Sequence, residues 1–232
     1  MARRTGRNHW MVAACFVAGA IAGRATAQEL TIGSKAPSID IEHWVQDRGG
    51  AFKPVKDFSP GKVYVVEFWA TWCGPCVASM PHLAQLQDAY ADKGVQVISV
   101  SDEDLATVEQ FLDRKSDGDG EKTYRDVTKA YSLTTDPDRS VSKDYMEAAG
   151  ESGIPTAFIV GKTGEIEWIG HPMQMDEPLE KVVAGSWDRK AYLEEKLEMD
   201  ALQKRFQEIS GLLQGDDPQK AVALVDELIA SA

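Results

Sequence analysis

Residues 63 to 68, VYVVEF, are apolar at consecutive positions rather than alternate ones, rich in β-branched and aromatic side chains, and preceded by the turn Ser59-Pro60-Gly61. Such a run fits a short strand covered on both faces. Beyond it Val77, Met80, Leu83, Ala84, Leu86 and Tyr90 recur at helical spacing until Gly94 stops them, and Pro81 is expected to kink that helix. Val95 to Val100 repeats the strand pattern and Leu105 to Lys115 the helical one. This β-α-β-α alternation points to an α/β fold, a central sheet with helices packed on its faces.

The rest of the chain extends that frame. Tyr131 to Thr134 reads as a strand, Val141 to Ala149 as a short helix capped by Ser140, with Tyr145-Met146 in its core-facing side. Ala157 to Val160 and Ile166 to Ile169 flank Gly161-Lys-Thr-Gly164 and predict an antiparallel hairpin, making the sheet mixed. A helix follows over Pro178 to Ala184. The acids of Ser116-Asp-Gly-Asp-Gly120 do not make a calcium loop, because an EF-hand needs Gly at its sixth position and Lys122 stands there. From Asp188 onward the composition changes: Leu193, Leu197, Leu202, Phe206, Ile209 and Leu213 lie among many charges, and Gly215 and Pro218 set off a last segment, Ala221 to Ala230. Residues 187–232 therefore read as a C-terminal helical extension of two amphipathic helices, suited to folding back on the domain or to docking a partner.

Residues 1–27 read as an export signal. Arg3, Arg4 and Arg7 precede the apolar run Met11 to Ala22, and Ala25-Thr26-Ala27 is an A-x-A cleavage site. The run is too short to cross a bilayer, which takes about 20 residues. The expectation is an exported, periplasmic or extracytoplasmic protein, with an uncleaved tether facing outside as the alternative; any membrane association runs through this segment. Removing its four arginines takes the net charge from −12 to −16. That balance argues against nucleic acid, which needs Lys and Arg clustered on one face. Residues 28–186 are then one domain.

Of three cysteines, Cys15 falls in the signal, leaving Cys73 and Cys76 in Trp72-Cys73-Gly74-Pro75-Cys76. A structural disulfide gains from closing a long loop, and this loop is two residues. Zinc needs four ligands, and beyond the pair only scattered His43, His82 and His171 are on offer, so no metal is expected. Covalent haem is excluded because Val77, not His, follows the pair. Redox exchange fits: cysteines three apart at a helix start point the same way. Cys73, before the first turn, faces unpaired N–H groups and the positive helix end, which favour its thiolate. Cys76, a turn further in, is the resolving thiol that expels whatever Cys73 captures.

This stretch resembles the active site of the thioredoxin superfamily, and Glu67-Phe-Trp-Ala-Thr71 before it resembles the TlpA/ResA-like exported thiol-disulfide oxidoreductases. Pro81 matches that family's helix proline, and Gly153-Ile-Pro-Thr156 its cis-proline segment; the likeness spans about Lys35 to Leu179. It implies a thioredoxin-like fold, a Cys73–Cys76 disulfide needing no cofactor, a cis Ile154-Pro155 bond, and a substrate-binding surface of Trp72, Gly74, Pro75, Ile154 and Pro155. It implies protein thiol or disulfide substrates and an upstream electron donor. Gly-Pro between the cysteines resembles reducing members.

Glu67 departs from the family, which carries Asp or Asn there, and Ser79 stands where ResA-like members carry Glu. A carboxyl in an apolar strand beside a thiol pair has a raised pKa and can take the proton of Cys76, so Glu67 is the candidate proton shuttle; a satisfied structural carboxylate is the equal alternative. Trp69 serves as shield or core, and His171 reads as surface or core. Two further readings stay open: a thiol peroxidase, although Thr71 lies two residues from Cys73 instead of three, and a non-catalytic binding module or metallochaperone.

Overall fold

The computed structural model describes Met1 and residues 29–118, 120–215 and 218–230. The segment read as an export signal lies, Met1 apart, outside the described residues.

Six strands form one mixed sheet: β1 (His43–Asp47), β2 (Val63–Phe68), β3 (Val95–Ser101), β4 (Ser132–Thr135), β5 (Thr156–Val160) and β6 (Ile166–Gly170), in spatial order β1-β4-β3-β2-β5-β6. β2, β3 and β4 run parallel, while β1, β5 and β6 pair antiparallel. The consecutive apolar runs lie where they should, since every residue of β2, β3 and β5 is buried. Alternation divides β2 between two cores. Val63 and Val65 pack with α1 (Gly74–Tyr90), while Tyr64, Val66 and Phe68 pack with Tyr145, Phe158 and Ile166 on the opposite face.

The connections are α2 (Leu105–Leu112), α3 (Tyr124–Thr128), α4 (Ser140–Ser142) and α5 (Asp176–Ala184). The second helix ends at Leu112, short of Lys115, because the chain turns into a β-bridge between Lys115 and Thr123 that leads to α3. The expected helix from Val141 is a single α-turn continued by a π-turn over Lys143–Glu147, and Ser140 does not cap it. Arg139 holds the cap position at φ 64°, and the Asp136 carboxylate accepts from the Val141 N–H and the Ser140 hydroxyl instead. Tyr145 and Met146 are buried as expected. In the β5–β6 hairpin Gly164 takes φ 76°, which a residue with a Cβ rarely adopts.

The C-terminal segment forms α6 (Arg189–Gln214) and α7 (Pro218–Ala230), packed along each other as a hairpin. Asp188 caps α6 by accepting from the Ala191 N–H. Arg189 ties its start to the sheet edge through Glu165 at 2.7 Å and Glu167 at 2.8 Å. No described helix is long and apolar enough to cross a membrane.

Candidate active site

The chain leaves the C-terminal end of the central strand β2, and Ala70 to Trp72 turn it into α1. Cys73 is the N-cap of that helix: its backbone is extended, and its Sγ accepts from the Cys76 N–H at 3.2 Å. Gly74 and Pro75 form the first turn, where a proline's missing N–H costs nothing. Cys73 and Cys76 are joined as a disulfide with Cα atoms 5.3 Å apart. The helix N-terminus carries no acidic side chain, so its dipole and free N–H groups act on Cys73 unopposed within the first turn.

Cys73 is 4% exposed and Cys76 1%, so the outer cysteine is nearly as covered as the inner one. Cys76 is the more buried of the two, and Cys73 is covered because the facing segment comes close: the Ile154 carbonyl oxygen lies 3.6 Å from Cys73 Sγ, a contact rather than a hydrogen bond while the sulfur has no proton. The Ile154-Pro155 peptide is cis. Around this covered disulfide Trp72 is 74% exposed, and Gly74 and Pro75 are exposed, whereas Pro155 is buried behind Ile154. Trp72 stands between two clefts. One, of about 930 Å³, runs along α1 past Gly74, Val77 and Pro81 to Phe111 and Tyr124. The other, of about 380 Å³, lies on the Ile154 side and includes Asp102, Asp136, Arg139, Glu147 and Glu151. Trp69 belongs to the core, packed on Phe111 at 5.6 Å between ring centres.

Glu67 is 1% exposed. Alternation places it on the α1 face of β2, with Val63 and Val65, opposite Ser99 on β3 and Ala157 on β5. The Ser99 hydroxyl donates to its Oε2, and Oε1 has no partner among the described residues. Burial pushes its pKa up to about 8, opposed in part by the Ser99 hydrogen bond. Burial also raises the Tyr131 phenol well above its usual value, and the neighbouring Glu67 charge adds to this. Glu67 makes no hydrogen bond to either cysteine; it lies under the helix that carries them. Ser79 is buried and donates to the Cys76 carbonyl at 2.7 Å, so the second acid of ResA-like members has no counterpart here.

Sequence reasoning missed three residues. Ser99 and Tyr131 share the Glu67 pocket, and nothing in their spacing distinguishes them from ordinary strand residues. Glu103 braces the active loop, accepting from the Thr71 N–H at 2.6 Å and the Thr71 hydroxyl at 2.7 Å. His82 is held by Asp176 at 2.8 Å and His171 accepts from the Met173 N–H at 3.2 Å. Both histidines have structural partners.

A cysteine pair at the start of the helix that follows a central parallel strand, faced by a cis-proline segment on an antiparallel neighbour, defines a thiol-disulfide oxidoreductase of the thioredoxin superfamily. The family model and two relatives agree. The AhpC/TSA family model matches residues 32–169. Protein FixW of Rhizobium leguminosarum is 30% identical over 162 residues, 69% of this chain and 70% of that protein. The thiol-disulfide oxidoreductase ResA of Bacillus thuringiensis subsp. konkukian is 30% identical over 160 residues, 67% of this chain and 80% of that protein. A thioredoxin-family thiol:disulfide interchange protein of solved structure from Chlorobium tepidum TLS covers 66% of this chain and 98% of its own, at 21% identity and a TM-score of 0.46. The chain belongs to the AhpC/TSA family and is a TlpA/ResA-like member of it.

Proposed function

We propose that the protein is an exported reductant of protein disulfides, with Cys73 as attacking nucleophile, Cys76 as resolving thiol and Glu67 as proton acceptor. The single observation that carries the reading is the disulfide at the N-cap of α1, because there the helix terminus stabilises one sulfur as thiolate and leaves the other inside. In the dithiol form the Cys73 thiolate attacks a substrate disulfide, a mixed disulfide forms at Cys73, and the departing substrate sulfur takes up a proton. Cys76 gives its proton to Glu67 and attacks Cys73 Sγ. The second substrate sulfur leaves as a thiolate that takes a proton from solvent, and the two electrons of the pair have passed to substrate. An external dithiol must then reduce the pair.

The raised pKa of Glu67 suits this cycle. A carboxyl with a pKa of about 8 holds its proton at neutral pH in the oxidised form, the state an acceptor reaches after Cys76 has attacked. When a donor opens the disulfide, that same proton returns to the Cys76 sulfur. Trp72, Gly74 and Pro75 on one side and Ile154 on the other form the docking surface, with the buried Pro155 setting the Ile154 backbone that pairs with an extended substrate segment. Export rests on the basic start, apolar run and A-x-A site of residues 1–27.

The test is a redox titration against glutathione combined with trapping on Cys76→Ser. A potential near the roughly −270 mV of thioredoxin, with protein partners caught on Cys73 in mixed disulfides, is expected. A potential near the roughly −120 mV of a strong oxidant reverses the direction, and loss of trapping in Cys76→Ser but not Cys73→Ser reverses the two roles.

A further inference from the structure

The C-terminal hairpin leaves apolar surface uncovered in an ordered way. On α6 Met199, Leu202, Phe206, Ile209 and Leu213 follow a 3-4-3-4 spacing, the period of a coiled-coil seam. Ile209 and Ala221 are buried between the helices, and Leu202, Leu212, Leu224 and Leu228 are half-buried there. Met199, Phe206 and Leu213, one step around α6 from that seam, stay exposed; so do Val222, Val225 and Ile229, one step around α7. The two helices run antiparallel, so the sense of rotation reverses between them and both stripes fall on the same side of the hairpin. The result is a continuous apolar face two helices wide, whose six side chains are 38–70% exposed.

We propose that this face is covered by the same face of a second copy of the chain, the two hairpins closing into a four-helix bundle about a two-fold axis. Charge selects that occupant. The positions bordering the stripe on its outer side are Gln203 and Ser210 on α6, with Lys196 paired to Asp200 at 3.5 Å, and the exposed Asp226 on α7. Glu194, Glu198, Lys204, Arg205 and Glu208 lie at least roughly 80° around the helix from the stripe's centre, and Glu195 falls one turn beyond its end. A cationic partner would be met by an acidic border, and an anionic membrane by a basic one. A border this sparse in charge, with Asp226 on α7 and the Lys196–Asp200 pair on α6, lets two copies of an acidic chain approach. Area agrees: at roughly 150–250 Å² per large side chain the stripe leaves about 600 Å² open per copy, so pairing removes about 1,200 Å², the lower end for a specific interface.

Sedimentation equilibrium of the oxidised protein tests this. The mass should rise with concentration from that of the monomer to its double, with the midpoint below about 100 µM. Phe206→Asp, in the middle of the face, should move the midpoint up by about tenfold or more. Leu197→Asp, on the opposite side of α6, should leave it in place. If circular dichroism shows that Phe206→Asp loses helix, Val225→Glu with helicity intact takes over its part. A wild-type protein that stays monomeric throughout overturns the proposal and gives the face to another occupant. Equal weakening by Leu197→Asp, or none by either face variant, overturns it as well.

Discussion

Replacing Glu67 by Gln separates the buried proton from everything else in the site. The carboxyl is 1% exposed, its ordinary pKa is 4.5, and in the folded protein burial raises it to about 8. Below pH 4.5 folded and unfolded chains both hold the proton. Between 4.5 and 8 only the folded chain does, so stability that is fully present below the lower value is lost as pH rises, at about 1.4 kcal/mol per pH unit, until the folded form also ionises. The whole interval corresponds to about 5 kcal/mol, a large part of the 5–15 kcal/mol typical of a domain. In Glu67→Gln the new side-chain carbonyl can still accept from the Ser99 hydroxyl, but its amide N–H group gains no assured partner, a cost of about 1–3 kcal/mol. The variant should therefore be less stable than wild type at pH 5, equal near pH 6, and more stable at pH 9. Urea unfolding of the oxidised forms, in which the cysteines do not titrate, measures the difference, expected to swing by about 2 M in midpoint. Subtracting the two curves cancels the groups they share. A difference that stays flat from pH 5 to 9 would show Glu67 already ionised in the fold and refute the assignment. With the shuttle removed, the resolving step should slow by about a hundredfold, while formation of the mixed disulfide at Cys73 is unaffected.

Glu103→Ala unties both Thr71 hydrogen bonds beneath the active loop and should cost about 1.5–3 kcal/mol in urea unfolding, with Glu103→Gln recovering part; a loss under about 0.5 kcal/mol would mean that the loop is not braced there. Trp72→Ala should raise KM for protein disulfides about tenfold while leaving reduction of a small disulfide unchanged, because the ring is exposed beside the pair and packs no core. Equal loss with both substrates would assign Trp72 to the chemistry instead of to docking.

What the sequence disclosed tracks how far each element depends on its own residues. β2 and β3 are buried on both faces, so their apolar runs state their position outright, and the hairpin of β5 and β6 announces itself through Gly161 and Gly164. The strand β1, HWVQD, is half-buried along its length at the sheet edge, and its pairing with β4 supplies what its composition does not. The short α3 was legible only through Thr123 and Asp126, a capping box three residues apart, a signal easily passed over in a loop rich in acids. Ser140 reads as a cap locally, yet Asp136 fills that role from four residues upstream, where the fold of the preceding turn puts its carboxylate.

The active site divides in the same way. Cys73 and Cys76 are local, fixed by three residues of spacing and one helix start, and were readable without the fold. The depth of Glu67 was half readable: an acid in an apolar strand must be buried or strand-terminal, but only the register of β2 against β3 brings Ser99 opposite it and leaves one oxygen unpartnered. Burial raises the pKa of this carboxyl and the Ser99 hydrogen bond opposes the rise, so the apolar setting of β2 and its neighbour act against each other. With burial the larger effect Glu67 keeps its proton at neutral pH, and the proton transfer proposed for it rests on a balance between the depth of β2 and the hydroxyl that β3, about thirty residues on, sets opposite it.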